Sequence, residues 1–381
     1  MEAINLKKHI EVKSSTKTYK VIFKNDLVKA LKEENVPTTK KVLIVTDKNI
    51  APIYLKDVEN KLNKVFNSVS HIVIPAGGKS KSLKTATLIY QKLLKKSFTK
   101  HDYLVALGGG VTGDIVGFVA ATFYRGMNFI QIPTSLLSQV DSSIGGKVAI
   151  HFQGITNAIG TIYPPDMCII SSNYLRTLST REISCGFSEI IKMAYINDKC
   201  FFNYLHKLKI KSLSDLTLDE IAKITVQAVK IKKNIVEMDE YEKDQRLGLN
   251  FGHTLSHALE TQLKHTKLLH GEGVAHGMLF EVLLSNLLRN NTNQQNLIDL
   301  THTLKKFELL NNQTIEMVTA LLKNNKQDLL ETMSKDKKNT DSSVSFILPM
   351  RNGFDLIKLD KNDPFLYKAL SKFYEIEMSL K

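Results

Sequence analysis

Two histidines four residues apart, His253 and His257, are the first residues in this chain whose spacing points to chemistry. Side chains at i and i+4 share a helical face, so a helix over 251–263 would turn both imidazoles the same way. Asn250 joins that face at i−3, and Arg246 joins it if the helix extends back past Gly248. A third histidine, His270, precedes Gly271-Glu272, and Glu189 stands three residues before Lys192 in another helix-like stretch. Two histidines, one glutamate and an open fourth position make a catalytic zinc pattern. Histidine pairs also occur on solvated helix faces, and spacing alone leaves open which three residues converge.

Three further segments carry chemical signals. Gly108-Gly109-Gly110-Val111-Thr112-Gly113-Asp114 lies between a strand-like run and a helical one. Glycines there let the backbone approach a pyrophosphate, and the helix N-terminus offers N–H groups and the positive end of a dipole. The spacing is not the GxGxxG fingerprint and a plain tight turn competes, but the strand-before, helix-after context favours a dinucleotide. Asp47 and Asn49 end the run Val42–Val45, where a carboxylate can accept ribose hydroxyls or simply cap a turn. Asp141-Ser-Ser-Ile-Gly-Gly-Lys147 reads as a loop whose backbone and ammonium are directed at an anion, or else as a flexible surface turn.

The elements that must position these residues fall into two halves. Val42–Val45, Ile72–Ile74, Tyr103–Leu107 and Phe129–Ile132 read as buried strands, with helical patterns over Lys84–Lys96 and Val111–Tyr124. Strands separated by helices of that length pair in parallel with right-handed crossovers. Beyond about Leu178 long amphipathic stretches take over, at Arg181–Asn197, Leu218–Glu237, Phe251–Leu263 and Glu272–Leu288, with one late strand-like run at Val344–Leu348. The expected architecture is an α/β dinucleotide-binding domain over 1–180 and a mainly α-helical domain over 181–381.

Composition bounds the rest. A chain of 381 residues suggests two or three domains. Its 43% hydrophobic and 24% charged residues exclude a largely disordered chain, a collagen and a rod-like coiled coil. Cys168, Cys185 and Cys200 are too few for a disulfide framework, and no apolar run reaches the ~20 residues of a membrane-spanning helix. The start, MEAINLKKHIEVKSS, lacks the apolar core of a signal peptide, so a cytoplasmic protein is expected. The net charge of +14 comes mainly from lysines spread along the whole chain, without interleaved aromatics. That pattern fits a lysine-rich surface with a few cations reserved for an anionic small molecule. It does not ask for a nucleic acid or a membrane.

Taken in order, Gly108–Asp114, Arg125-Gly126, Pro133-Thr134-Ser135, Asp141–Lys147, Phe187–Lys192, Asn250–His257 and His270-Gly271-Glu272 resemble the 3-dehydroquinate synthase family, over nearly the whole chain from Asp47 to Asp336-Lys337-Lys338. The resemblance implies an enzyme that uses NAD and a divalent metal, zinc or cobalt, in a cleft between an α/β and a helical domain. Its reaction turns 3-deoxy-D-arabino-heptulosonate 7-phosphate into 3-dehydroquinate and phosphate. The steps are transient oxidation by NAD, phosphate elimination, reduction and intramolecular aldol closure, in the shikimate route to aromatic amino acids. By motif position it places the metal on Glu189, His253 and His270. It assigns substrate contacts to Lys147, Asn157, Lys192, Lys232, Arg246, Asn250 and Lys337, and orientation and proton transfer to Asp141 and His257. Cofactor contacts fall on Asp47, Asn49, Lys81, Gly109, Gly110, Gly113, Asp114, Thr134, Ser135, Lys147, Tyr174 and Thr177. Arg125 matches a residue that completes the partner's site in a homodimer.

Several positions depart from the family pattern. The usual Gly-Lys-Asn is Ile155-Thr156-Asn157, so one ammonium is missing, a contact worth about 1.5–3 kcal/mol. The usual Gly-Ile-Asn is Ala149-Ile150-His151, the Gly-Glu before Lys81 is Gly77-Gly78, and the Thr-Thr pair is Thr134-Ser135. These changes spare the presumed metal ligands, Lys147, Lys192, Arg246 and Asn250. They leave as competing readings a related sugar-phosphate cyclase with another substrate, a metal-dependent alcohol dehydrogenase, or a weakened non-catalytic paralogue.

Overall fold

A computed structural model describes residues 9–264, 267–335, 343–350 and 353–381. In chain order the first half runs β1 (His9–Lys13), β2 (Thr18–Phe23), α1 (Leu27–Glu33), β3 (Lys41–Asp47), α2 (Lys56–Leu62), β4 (Ser68–Ile74) and α3 (Leu83–Lys95). It continues with β5 (Tyr103–Gly108), α4 (Gly110–Thr122), β6 (Asn128–Pro133), β7 (Lys147–Phe152), β8 (Ile155–Ile162) and β9 (Met167–Ile170). The second half runs α5 (Thr180–Asn197), α6 (Lys199–Lys207), α7 (Leu218–Met238), α8 (His253–Gln262), α9 (His270–Leu288), α10 (Gln295–Lys306), α11 (Asn312–Asn324) and α12 (Lys326–Ser334). It closes with β10 (Ser343–Pro349), β11 (Phe354–Asp360) and α13 (Pro364–Ser379).

Seven strands form one sheet in the order β1-β2-β9-β6-β5-β3-β4. Only β1 and β2 pair antiparallel; every other pair is parallel. Leu43 and Val45 face one core with α3 and α4, while Val42 and Ile44 face another with α1 and α2. Coverage on both faces is why these strands read as unbroken apolar runs rather than alternating ones. β7 and β8 form a separate antiparallel hairpin.

Two compact units emerge, and their boundary differs from the expected single break at residue 180. The unit that ends at Leu178 also takes in Leu218–Glu240, and the other comprises Ser179–Thr217 and Tyr241–Lys381. The physical reason lies on α7. Its Val226 and Val229 pack into a core with Ile10, Val12, Tyr19, Val21 and Ile170, so this helix covers the α/β unit although its sequence lies within the helical half. The second unit is built around α9, in which every residue from Gly271 to Asn286 is buried. A helix enclosed on all sides has no polar stripe to display. A second correction concerns Asp141–Lys147. Only part of it is loop: Ser138–Ser142 form one helical turn, Gly145 and Gly146 reverse the chain at positive φ, and Lys147 opens β7.

Candidate functional site

Glu189, His253 and His270 each offer a ligand atom, and these atoms lie within 4.8 Å of one another. Glu189 is fully buried in the middle of α5, and the two histidines are the first residues of α8 and α9. Both imidazoles point Nε2 at the same carboxylate oxygen, Glu189 Oε1, from 3.7 Å (His253) and 3.3 Å (His270). Each Nδ1 is held from behind: His253 lies 3.2 Å from the Phe251 carbonyl, and His270 lies 3.0 Å from Glu260 Oε1. Second partners of this kind are what orient metal-binding histidines. Ser256 donates to the same Glu260 oxygen at 2.9 Å. Lys192, buried one turn along α5, contacts the other oxygen of Glu189.

The electrostatics favour positive charge here. Burial pulls the His270 pKa down, but its hydrogen bonds to Glu189 and Glu260 outweigh that and lift it to about 10. Burial raises Glu260, yet the hydrogen bond and charge of His270, with His257 and Ser256, hold it at about 2. Two imidazoles and a buried carboxylate converging on one point, with their far nitrogens already anchored, fit a divalent cation with a position left open.

The helices that carry these donors are locked together. Arg181 on α5 grips both carboxylate oxygens of Glu272 on α9, the second at 2.7 Å, and Glu272 also accepts the Leu269 N–H. A side chain at Gly271 would come within 2.5 Å of the Cys185 backbone, so α5 and α9 meet at bare backbone. His257 stands edge-on to His253 with ring centroids 5.5 Å apart. Arg246 is buried, and the Asn250 amide donates to Glu242 Oε1 at 2.7 Å. Lys337 lies outside the described residues.

In the α/β unit the glycine-rich segment joins β5 to α4, with Gly109 as the helix N-cap. None of Gly108, Gly109, Gly110 or Gly113 has a positive φ; side chains at Gly108 and Gly110 would collide with Thr112 and Ser142 instead. Asp47 accepts the Asn49 and Ile50 N–H groups through Oδ1 and the Thr112 hydroxyl through Oδ2, which draws the end of β3 to the start of α4. The Thr134 N–H donates to the Gly108 carbonyl, and Ser135 Oγ accepts the Ser138 N–H. The Tyr54 hydroxyl joins the Tyr174 carbonyl at 3.1 Å to the Thr177 hydroxyl at 2.6 Å.

Two charged clusters stand in the same unit. Buried Lys81 contacts both Asp114 and Asn157. Burial raises the Asp114 pKa, and Lys81 works against that rise. Asn157 sits at a positive φ, and its N–H donates to His151 Nδ1 at 3.0 Å. Lys232 on α7 contacts the Asp141 carboxylate and its carbonyl oxygen, the latter at 2.7 Å. Arg125 belongs to neither cluster: with Tyr124 it occupies a left-handed turn and its side chain is exposed.

The 3-dehydroquinate synthase N-terminal model matches residues 71–185, and the corresponding C-terminal model matches 186–339. A 3-dehydroquinate synthase of Streptococcus equi subsp. equi is 39% identical over 368 residues, which cover 96% of this chain and 99% of that protein. Another, from Endomicrobium trichonymphae, is 40% identical over 90% of this chain and 92% of its own. The chain belongs to the 3-dehydroquinate synthase family. Solved structures share the fold. A 2-deoxy-scyllo-inosose synthase complexed with carbaglucose-6-phosphate, NAD+ and Co2+ has a TM-score of 0.80 at 20% identity, over 96% of this chain and 99% of that one. A 2-epi-5-epi-valiolone synthase from Streptomyces hygroscopicus, with NAD+ and Zn2+ bound, has a TM-score of 0.73 at 22% identity, over 94% and 97%.

Within this member of the 3-dehydroquinate synthase family, sequence reasoning assigned no role to three supporting carboxylates: Glu242, Glu260 and Glu272. Glu260 had a signal, since it follows His253 by seven residues and so returns to the same helical face. Glu272 had a signal too, as the third residue of α9 whose carboxylate takes the Leu269 N–H, whereas Glu242 reaches across to Asn250 and nothing local marks it.

Proposed function

We propose that this chain converts 3-deoxy-D-arabino-heptulosonate 7-phosphate to 3-dehydroquinate and phosphate, with NAD and a divalent metal as cofactors. The observation that carries the proposal is the meeting of Glu189, His253 and His270 with Lys192 against the shared carboxylate. When bound, the cation and NAD supply Lewis acidity at substrate oxygens and reversible hydride acceptance, respectively. The chain's own groups do the rest. Lys147, Lys192, Lys232 and Arg246 provide cations for a substrate bearing a phosphate and a carboxylate, and charge-assisted contacts of this kind are the strong ones. Asp141 steers the Lys232 ammonium. His257, edge-on to His253, moves a proton in this reading. The N-terminus of α4 offers N–H groups to a pyrophosphate, with Asp47 at the adjacent strand end for the ribose.

Oligomeric state and compartment belong to the same reading. β8 is an uncharged strand whose residues Ile155 to Thr161 are all exposed, with Ile155 60% and Ile159 37% accessible. Such an edge invites pairing with a second copy, and Arg125 projects outward as a residue reaching into a partner's site would. Cys168, Cys185 and Cys200 are free thiols, which suits a reducing cytoplasm.

The test is phosphate release from the heptulosonate phosphate in protein loaded with NAD and Co2+ or Zn2+, with absorbance at 340 nm followed in parallel. Phosphate should appear without net NADH, and His270→Ala should lose both the tightly bound metal and the activity. No phosphate above background in loaded protein would overturn the proposal, as would sustained NADH.

A further inference from the structure

Helix α8 carries a presumed metal ligand at its first position, yet its N-cap is a glycine, with no side chain to hold the helix start. Gly252 lies at φ +80°, where a side chain would strike the Val274 carbonyl and the Met278 amide of α9 at 2.7–2.8 Å. The N–H of an N-cap is commonly taken by the carboxylate of the third residue of its own helix. Here that third residue is Leu255, which has no acceptor. The acceptor comes from α9 instead: fully buried Glu281 takes the Gly252 N–H through Oε2 at 2.9 Å.

We propose that Glu281 is a positioning residue for the metal centre, acting on His253 through the Gly252 peptide. This rests on the metal reading above. The chain of contacts is short: Glu281 fixes the Gly252 N–H, the next residue is His253, its Nδ1 rests on the Phe251 carbonyl, and its Nε2 faces Glu189. A carboxylate at a helix N-terminus is also favoured by the helix dipole. Glu281 thus serves His253 as Glu260 serves His270. The difference is that Glu260 grips its ring directly, whereas Glu281 grips the backbone from which the ring hangs.

The experiment titrates the metal-free full chain with Co2+ alone and reads both the dissociation constant and the visible d–d spectrum, which reports ligand geometry. Glu281→Asp keeps the buried charge and withdraws the carboxylate by one methylene. It should weaken Co2+ about 10- to 100-fold, the range for loss of an outer-sphere partner, and change the spectrum. Glu281→Gln keeps an oxygen at the same reach but gives up the charge, so it should bind Co2+ more tightly than the Asp variant, with a spectrum close to wild type. If Glu281→Asp does not fold, Glu281→Leu is read in its place. A folded Asp or Leu variant with wild-type affinity and spectrum overturns the inference, as does a Gln variant as impaired as the Asp one. His253→Ala and the wild type separate the two readings. Wild-type protein that binds no Co2+ sinks the metal reading and this inference together, whereas wild-type binding lost in His253→Ala leaves Glu281 judged on its own variants.

Discussion

Gly277→Ala is a sharp test of how the metal centre is held. Gly277 lies eight residues into α9. A Cβ there would overlap the Gly252 carbonyl oxygen and lie 2.7 Å from its carbonyl carbon. Alanine in a helix interior is ordinarily favoured over glycine by about 0.5–1 kcal/mol. Overfilling a packed site costs about 1–3 kcal/mol, and this contact belongs at the upper end because both sides are backbone and Gly252 is further pinned by Glu281. The net expectation is a loss of about 2 kcal/mol, or on the order of 4–8 °C in melting temperature for a unit of this size. Because Gly252 precedes His253, Co2+ binding should weaken as well. Differential scanning calorimetry and Co2+ titration measure the two effects. Gly78→Ala is the control: nothing lies within 4 Å of its added methyl and its φ is not positive, so it should stay within about 0.5 kcal/mol of wild type. A Gly277→Ala protein as stable as wild type, with unchanged metal affinity, would refute the idea that this helix crossing sets the ligand.

Other expectations follow from separate parts of the molecule. His151→Ala removes the acceptor for the Asn157 N–H; loss of one such bond, about 0.5–1.5 kcal/mol, should lower the melting temperature by no more than about 6 °C and raise KM for the phosphorylated substrate by up to roughly tenfold, and an unchanged KM would detach Asn157 from substrate binding. Burial pushes the Cys168 and Cys185 thiols up to about 12 while Cys200 is exposed; a disulfide reagent at pH 8 should therefore modify one thiol in native protein and three after denaturation, and rapid modification of two or more native thiols would contradict the packing. Ile159→Lys puts a charge on the open edge of β8; light scattering should show a dimer for wild type and a monomer for the variant, and a monomeric wild type would remove the dimer from the functional proposal.

The parallel strands were legible because burial on both faces leaves a simple mark, as in Val42–Val45 and Tyr103–Leu107. β8 was not, since Ile155–Ile162 buries almost nothing and so shows no hydrophobic pattern. One local cue did exist: Gln153 and Gly154, both at positive φ, form a two-residue turn between the paired Phe152 and Ile155. Helix α7 was legible as a helix but not in its allegiance. An apolar stripe states that something covers it, not what, and the covering core includes strands about 200 residues earlier in the chain.

Spacing made the metal donors legible as types but not as a set, which came only from the family resemblance, and α9 shows why. Ligand spacing is informative only when donors share one element, as His253 and His257 do; here the structure takes His253 from that pair and adds residues from two other helices. What brings those helices together is written in glycine. Side chains at Gly271, Gly273 and Gly277 would collide, respectively, with the Cys185 backbone of α5, the Ser256 side chain of α8 and the backbone at Gly252. Each glycine weakens the helix by about 1 kcal/mol relative to alanine, so three within seven positions mark surfaces where another element must come close. α9 therefore meets the helix bearing Glu189 and the helix bearing His253 along its own first two turns, with His270 at its start. The convergence follows from where the side chains are missing more than from where the ligands stand.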